Sequence, residues 1–217
     1  MLNKKEIELV LNKLYDMYPD AECELKHTNS FELLIATVLS AQTTDKKVNQ
    51  VTEKLFKEYK EPKDFLSMNQ EDLEVKIKEI GLYKSKAKHI LSLCISLVDN
   101  FNSEVPSTME ELISLDGVGR KTANVVLSNA FNVPAFAVDT HVFRVSNRIG
   151  LAPGKDVLAV ENQLMKNVSK DKWIKTHHTL IFHGRKACKA IKPICGECGI
   201  NNVCEFYKNR QEEIMDN

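Results

Sequence analysis

Four cysteines near the end of this 217-residue chain, Cys188, Cys195, Cys198 and Cys204, follow the spacing C-x6-C-x2-C-x5-C. Thiolates this close in sequence can converge on one inorganic centre, and the segments between them are too short to form a core. The set suits either Zn2+ or a [4Fe–4S] cluster. Zinc motifs usually bring two close pairs across a longer span; here only Cys195 and Cys198 make such a pair. Pro193 and Gly196 help the loop turn, while Lys189 and Lys192 give it a basic edge suited to phosphate. His177, His178 and His183 are near enough to compete as ligands, but four cysteines already complete a set. Cys23 and Cys94 stand apart and read as small buried hydrophobes.

The stretch Leu115-Asp116-Gly117-Val118-Gly119-Arg120-Lys121-Thr122-Ala123 is the second chemical signal. A helix ending in Leu-x-Gly-x-Gly before another apolar-periodic helix predicts a tight turn whose glycines take positive φ. Bare glycines also let backbone N–H groups face outward beside a new helix N-terminus, an arrangement that binds phosphate. A plain helix–helix turn would look similar. Arg120 and Lys121 favour the anion site, because a basic pair at a helix start opposes the dipole unless an anion is present. Asp139, just before Thr140-His141-Val142-Phe143, reads as an N-cap.

The elements that carry these residues are helical. Apolar residues recur with helical period at Ile7, Val10, Leu11, Leu14 and Tyr18, and again at Val48, Val51, Leu55 and Tyr59. The pattern predicts further helices over 31–40, 70–80, 84–101, 108–115, 119–131, 141–149, 156–168 and 173–184. Breaks at Pro62, Gly81, Pro106, Gly117, Pro134 and Pro153-Gly154 suit helix-to-helix turns. Strand-like alternation is nearly absent, so the expected fold class is all-α. Thirty basic and thirty acidic residues cancel, which counts against a nucleic-acid partner while leaving room for one basic face. There is no apolar run long enough for a bilayer and no apolar leader at the N-terminus. The expectation is a soluble protein of a reducing, intracellular compartment with no membrane association, in which clustered cysteines bind metal.

Leu-x-Gly-Val-Gly-x-Lys-Thr-Ala resembles the helix-hairpin-helix of base-excision DNA glycosylases. With Val138-Asp139-Thr140-His141-Val142 and then the four-cysteine loop, the order resembles the endonuclease III family. So do Leu39-Ser40-Ala41-Gln42-Thr43-Thr44-Asp45, Gly81-Leu82-Tyr83-x-x-Lys86-Ala87 and His177-His178-x-x-Ile181-x-His183-Gly184. Family members usually carry Pro where Asp116 stands and Ala where Thr43 stands. The resemblance implies two helical lobes with a DNA-facing groove between them. One is a six-helix lobe over 21–133 containing the hairpin at 115–123. The other joins 1–20 to 134–217 and carries the cluster loop at 188–204.

The resemblance further implies a [4Fe–4S] cluster on Cys188, Cys195, Cys198 and Cys204, and a bifunctional glycosylase and abasic-site lyase removing oxidised pyrimidines. It assigns Lys121 as the nucleophile and Asp139 as the carboxylate that accepts its proton and stabilises charge on the sugar. Gly117 and Gly119 would hold the DNA backbone. Gln42 and Leu82 would fill the gap left by a flipped base, although a lone leucine in Leu82's context reads as core. Lys84, Lys86 and Lys88 flank Leu82 and can reach phosphates, though surface lysines are more often simply solvated, and His141 would contact DNA or serve structure. The implied partner is duplex DNA with damaged bases or abasic sites, met by a monomer in the cytoplasm of a prokaryotic-type cell, at the nucleoid. An adenine-mismatch glycosylase fits less well, because Lys121 is present and no extra recognition domain follows. A non-enzymatic DNA-binding module or a ferredoxin-like carrier would leave the glycine–lysine turn or the helical bulk unexplained.

Overall fold

The computed structural model describes residues 1–215. Among them it contains twelve α-helices, one 3-10 turn at Lys170–Lys172 and no strand, so the fold is all-α. Contacts divide the chain into two compact units, one of residues 23–133 and one joining 1–22 to 134–217. None of the described helices is long and apolar enough to cross a membrane.

Residues 23–133 hold α2 (Ser30–Ser40), α3 (Asp45–Glu58), the single turn α4 (Pro62–Phe65), α5 (Gln70–Ile77), α6 (Tyr83–Asn100), α7 (Met109–Ser114) and α8 (Arg120–Ala130). Side-chain caps start several of them: Asn29, Thr44, Asn69 and Thr108 each accept the backbone N–H of the third helical residue. The unit is built around α2, where every residue from Phe31 to Leu39 is buried. α8, α3 and α6 pack on it. A helix apolar on all sides must lie inside, since no face of it can be left to water.

The second unit holds α1 (Lys4–Met17), α9 (Thr140–Ile149), α10 (Val157–Asn167), α11 (Trp173–Lys186) and α12 (Glu205–Met215). α11 packs along α9 and α1, and α12 leans on α9. Its core runs through Leu11, Leu14, Phe136, Val145, Leu164 and Leu180, and three cysteines of the C-terminal loop pack against it. The segment 1–22 is tied in by polar contacts too: Tyr15 Oη lies 2.6 Å from Thr176 Oγ1, and Lys175 Nζ donates to the Tyr18 and Pro19 carbonyls. Helix positions follow the expected ones to within a few residues. α4 and α12 carry too little apolar periodicity to be seen in the sequence.

α11 buries three histidines, His177, His178 and His183. Burial, with Lys175 adding to it, pushes the His178 imidazole down to about 4. Burial does the same for His183. Below pH 6.5 the unfolded chain takes up protons that the folded chain refuses until about pH 4, so stability falls as pH drops through that window. Each such histidine costs on the order of 3 kcal/mol at the acid end. Urea unfolding from pH 7 to 4 is expected to show this loss, with a shallower slope in His178→Gln than in the wild type.

Candidate functional site

The helix-hairpin-helix is α7, the turn 115–119 and α8. Leu115 and Val118 are buried and anchor the turn, with the Val118 N–H bonded to the Leu115 carbonyl at 3.1 Å. Only one of its two glycines is left-handed. Gly117 has φ +76, and a Cβ there would stand 2.9 Å from His89 Cβ. Gly119 has φ −94 and ψ 175 and serves as the N-cap of α8, with open space where a Cβ would go. The expectation of positive φ at both is therefore corrected: a cap residue sits in the extended region, and it needs no left-handed backbone. Gly119 is still distinctive, because a glycine cap leaves the N–H groups of the first turn of α8 unscreened by any side chain. Lys121, second residue of α8, is exposed there.

Asp116, which stands where the family pattern has Pro, is bound: its Oδ1 lies 2.8 Å from His89 Nδ1 on α6. The carboxylate is thus held against α6.

Two loops of the same unit carry the other sequence-selected residues. Gln42 follows α2 at φ +55, and Leu82 precedes α6 at φ +59. Leu82 is 59% exposed, so it is presented at a loop tip and is not core. The loops touch: a Cβ on Gly81 would lie 3.4 Å from the Gln42 carbonyl oxygen. Lys84 and Lys88 are exposed beside them. Lys86 is not available to phosphate, contrary to expectation. It is 5% exposed, and its Nζ donates to the Leu39 and Ala41 carbonyls and to Thr43 Oγ1. Its position on the inner face of α6, which also buries Ala87 and Ile90, accounts for the difference.

In the second unit Asp139 caps α9, its Oδ1 accepting the Val142 N–H at 2.8 Å. The cap leaves Oδ2 of the same rigid carboxylate for other work. His141 packs against α11 where Gly184 gives room, since a Cβ on Gly184 would be 3.0 Å from His141 Cβ. Its Nδ1 lies 3.2 Å from Arg144 Nη2. Sequence reasoning missed both arginines of α9. Arg144 donates to the Gly184 and Cys188 carbonyls, and Arg148 donates to those of Lys189 and Ala190. Together they grip the start of the cysteine loop. An i, i+4 basic pair on one helix face was the available signal.

Cys188, Cys195, Cys198 and Cys204 line one small pocket, whose other walls include Ile149, Ile200, Phe206 and Tyr207. Among the described residues no three metal-ligating side chains are close enough to hold a single ion. Burial pushes the Cys198 and Cys204 thiols up, and backbone N–H donors oppose it, Ile200 at Cys198 and Tyr207 and Phe206 at Cys204. Arg148 Nη1 lies 3.7 Å from Cys188 Sγ, and His183 Nε2 lies 3.8 Å from Cys198 Sγ. His183 is therefore a neighbour of the thiolates, its other nitrogen engaged with Tyr18 Oη at 3.1 Å. N–H groups aimed at sulfur, in an apolar pocket, suit thiolates that carry charge toward bound metal.

Residues 35–170 match the model of the HhH-GPD superfamily of base excision DNA repair proteins. The chain is 53% identical to endonuclease III of Bacillus subtilis (strain 168), over 98% of each chain. It is 47% identical to endonuclease III of Escherichia coli (strain K12), over 94% of this chain and 97% of that one. A solved structure of a trapped endonuclease III–DNA covalent intermediate superposes with a TM-score of 0.93, at 52% identity, over 97% of this chain and all of the other. A thermostable thymine-DNA glycosylase, at 24% identity and a TM-score of 0.86, shares the fold.

The two glycines of the turn are expected to respond differently to a methyl group. Gly117→Ala combines a left-handed backbone with a contact too short to keep, so it should lower stability by about 1–3 kcal/mol. Gly119→Ala should lower it by about 1 kcal/mol or less. Urea midpoints of the two variants check the order.

Proposed function

This chain belongs to the HhH-GPD superfamily of base excision DNA repair proteins, and within it we propose a bifunctional glycosylase and abasic-site lyase that removes oxidised pyrimidines from duplex DNA. It is a base excision repair DNA glycosylase of the endonuclease III type, and its partner is DNA. The observation that carries the finer reading is the exposed Lys121 at the head of α8, two residues past the glycine cap that leaves backbone N–H groups bare. Those N–H groups and the helix dipole suit a backbone phosphate. Once a phosphate is seated there, the amine stands beside the strand.

In the proposed reaction Lys121 Nζ, as the neutral amine, bonds to sugar C1′ while the bond from C1′ to the damaged base breaks. The base leaves with the electron pair and picks up a proton. Asp139 accepts the proton the amine gives up, and its charge offsets the positive charge that grows on the sugar. Opening of the sugar ring gives an imine at C1′. Loss of a C2′ proton then expels the 3′-phosphate and nicks the strand. A water nucleophile would stop at the abasic site, so the amine is what joins the two activities. Gln42 and Leu82 fill the space left by the flipped nucleotide, Leu82 as an apolar wedge and Gln42 as a hydrogen-bonding partner for the orphaned base.

The four cysteines are assigned to a [4Fe–4S] cluster. Thiolates set around a pocket suit a cluster, in which each binds a different iron; a zinc site would gather them about one point. Held by these four cysteines, a cluster would cross-link the loop that bears Lys189 and Lys192.

Borohydride should trap a covalent complex between the protein and a duplex carrying an oxidised pyrimidine, and Lys121→Ala should abolish it. A complex that persists in that variant would place the nucleophile elsewhere. Asp139→Asn is expected to slow base release by about 10²–10⁴-fold with DNA affinity nearly unchanged; parallel loss of both would assign it a structural role alone. Elemental analysis of anaerobically purified protein should find iron, and zinc without iron would overturn the cluster assignment.

A further inference from the structure

Lys86 is a buried cation with no carboxylate among the partners of its Nζ. Removing an ammonium from water is costly unless strong acceptors replace the water. Here the acceptors are specific: the Leu39 carbonyl at 2.9 Å, the Ala41 carbonyl at 2.6 Å and Thr43 Oγ1 at 3.3 Å. Burial moves the amine toward its neutral form. Two of the acceptors lie at the C-terminal end of α2, where the helix dipole is negative and the last carbonyls lack intrahelical partners. Lys86 thus caps one helix from the first turn of another.

The residues on either side of this contact are Gln42 and Leu82. Gln42 lies between Ala41 and Thr43, both bound by the lysine, and the Lys86 N–H donates to the Leu82 carbonyl at 3.0 Å. Both are non-glycine residues in the left-handed region, φ +55 and +59, and both are exposed. Side chains rarely adopt that backbone unless the surroundings impose it. Each loop therefore holds a conformation it would not keep alone, and Lys86 links them, its ammonium bound to the Gln42 loop and its backbone N–H to Leu82 at the head of α6.

We propose that Lys86 is a positioning residue for base eversion: it locks the Gln42 and Leu82 loops into the paired, pre-strained shape that inserts into the duplex. The proposal rests on the wedge role given above to those two residues. Inserting a plug whose loops are already ordered avoids an ordering cost at the moment of binding, so loss of the tie should slow steps that need the gap filled.

The test compares two substrates. Base release from a duplex carrying an oxidised pyrimidine requires eversion, whereas strand cleavage of a single-stranded abasic oligonucleotide has no partner strand to part. In single-turnover assays Lys86→Met is expected to slow duplex base release about tenfold or more, with single-strand cleavage within about twofold of wild type. Thr43→Val, which removes one acceptor, should shift the same ratio less, and it decides the matter alone if Lys86→Met does not fold by circular dichroism. Parallel losses on both substrates, or no loss on either, would overturn the proposal. A wild-type protein inactive on the duplex would instead refute the functional reading. In that case a fluorescent reporter base opposite the lesion still decides, because it needs no chemistry: a rise on binding of wild type but not of Lys86→Met supports the tie, and equal rises overturn it.

Discussion

Burial of α2 on every side is the constraint from which the working edge of residues 23–133 follows. The last carbonyls of a helix have no intrahelical donors and take partners from elsewhere. Lys86 of α6 meets that need at Leu39 and Ala41. The same contact brings the start of α6 against the loop leaving α2, which sets Leu82 beside Gln42. α8 packs on α2 as well, so the hairpin turn at its head is referred to the same buried axis. One apolar helix thus fixes the placement of three exposed features.

In the other unit α9 has the comparable role. Its first turn is capped by Asp139, and its body carries Arg144 and Arg148, whose guanidinium groups take up four carbonyls where α11 gives way to the cysteine loop. Planar, multi-donor side chains suit that task, because a turn without regular structure leaves carbonyls pointing in several directions. A rigid carboxylate and a rigid loop are therefore two products of one ten-residue helix.

Much of this was legible in the sequence, for reasons of range. The all-α class followed from apolar period, and the cap at Asp139 from a residue type that bonds three positions ahead. The hairpin was legible as Leu-x-Gly-x-Gly, though the two glycines turned out to do different work, Gly117 bending the chain and Gly119 capping it. What could not be read depends on partners far apart. Lys86 looks like any lysine between two others until Leu39 and Ala41, more than forty residues earlier, are brought beside it. Asp116 broke the family pattern at a proline position without showing that His89, 27 residues earlier, would hold it. Arg144 and Arg148 read as a basic helix face, since the carbonyls they bind belong to residues 184–190.

The two units also differ in how the chain supplies them. Residues 23–133 are contiguous, whereas the other unit needs 1–22 and 134–217 together. On the ribosome residues 23–133 are complete before residues 134–217 of the other unit have been made. The leading helix α1 must wait for α11, synthesised over 150 residues later, before Tyr15 can meet Thr176. The four cysteines at 188–204 are made after both arginines of α9 that bind the start of their loop.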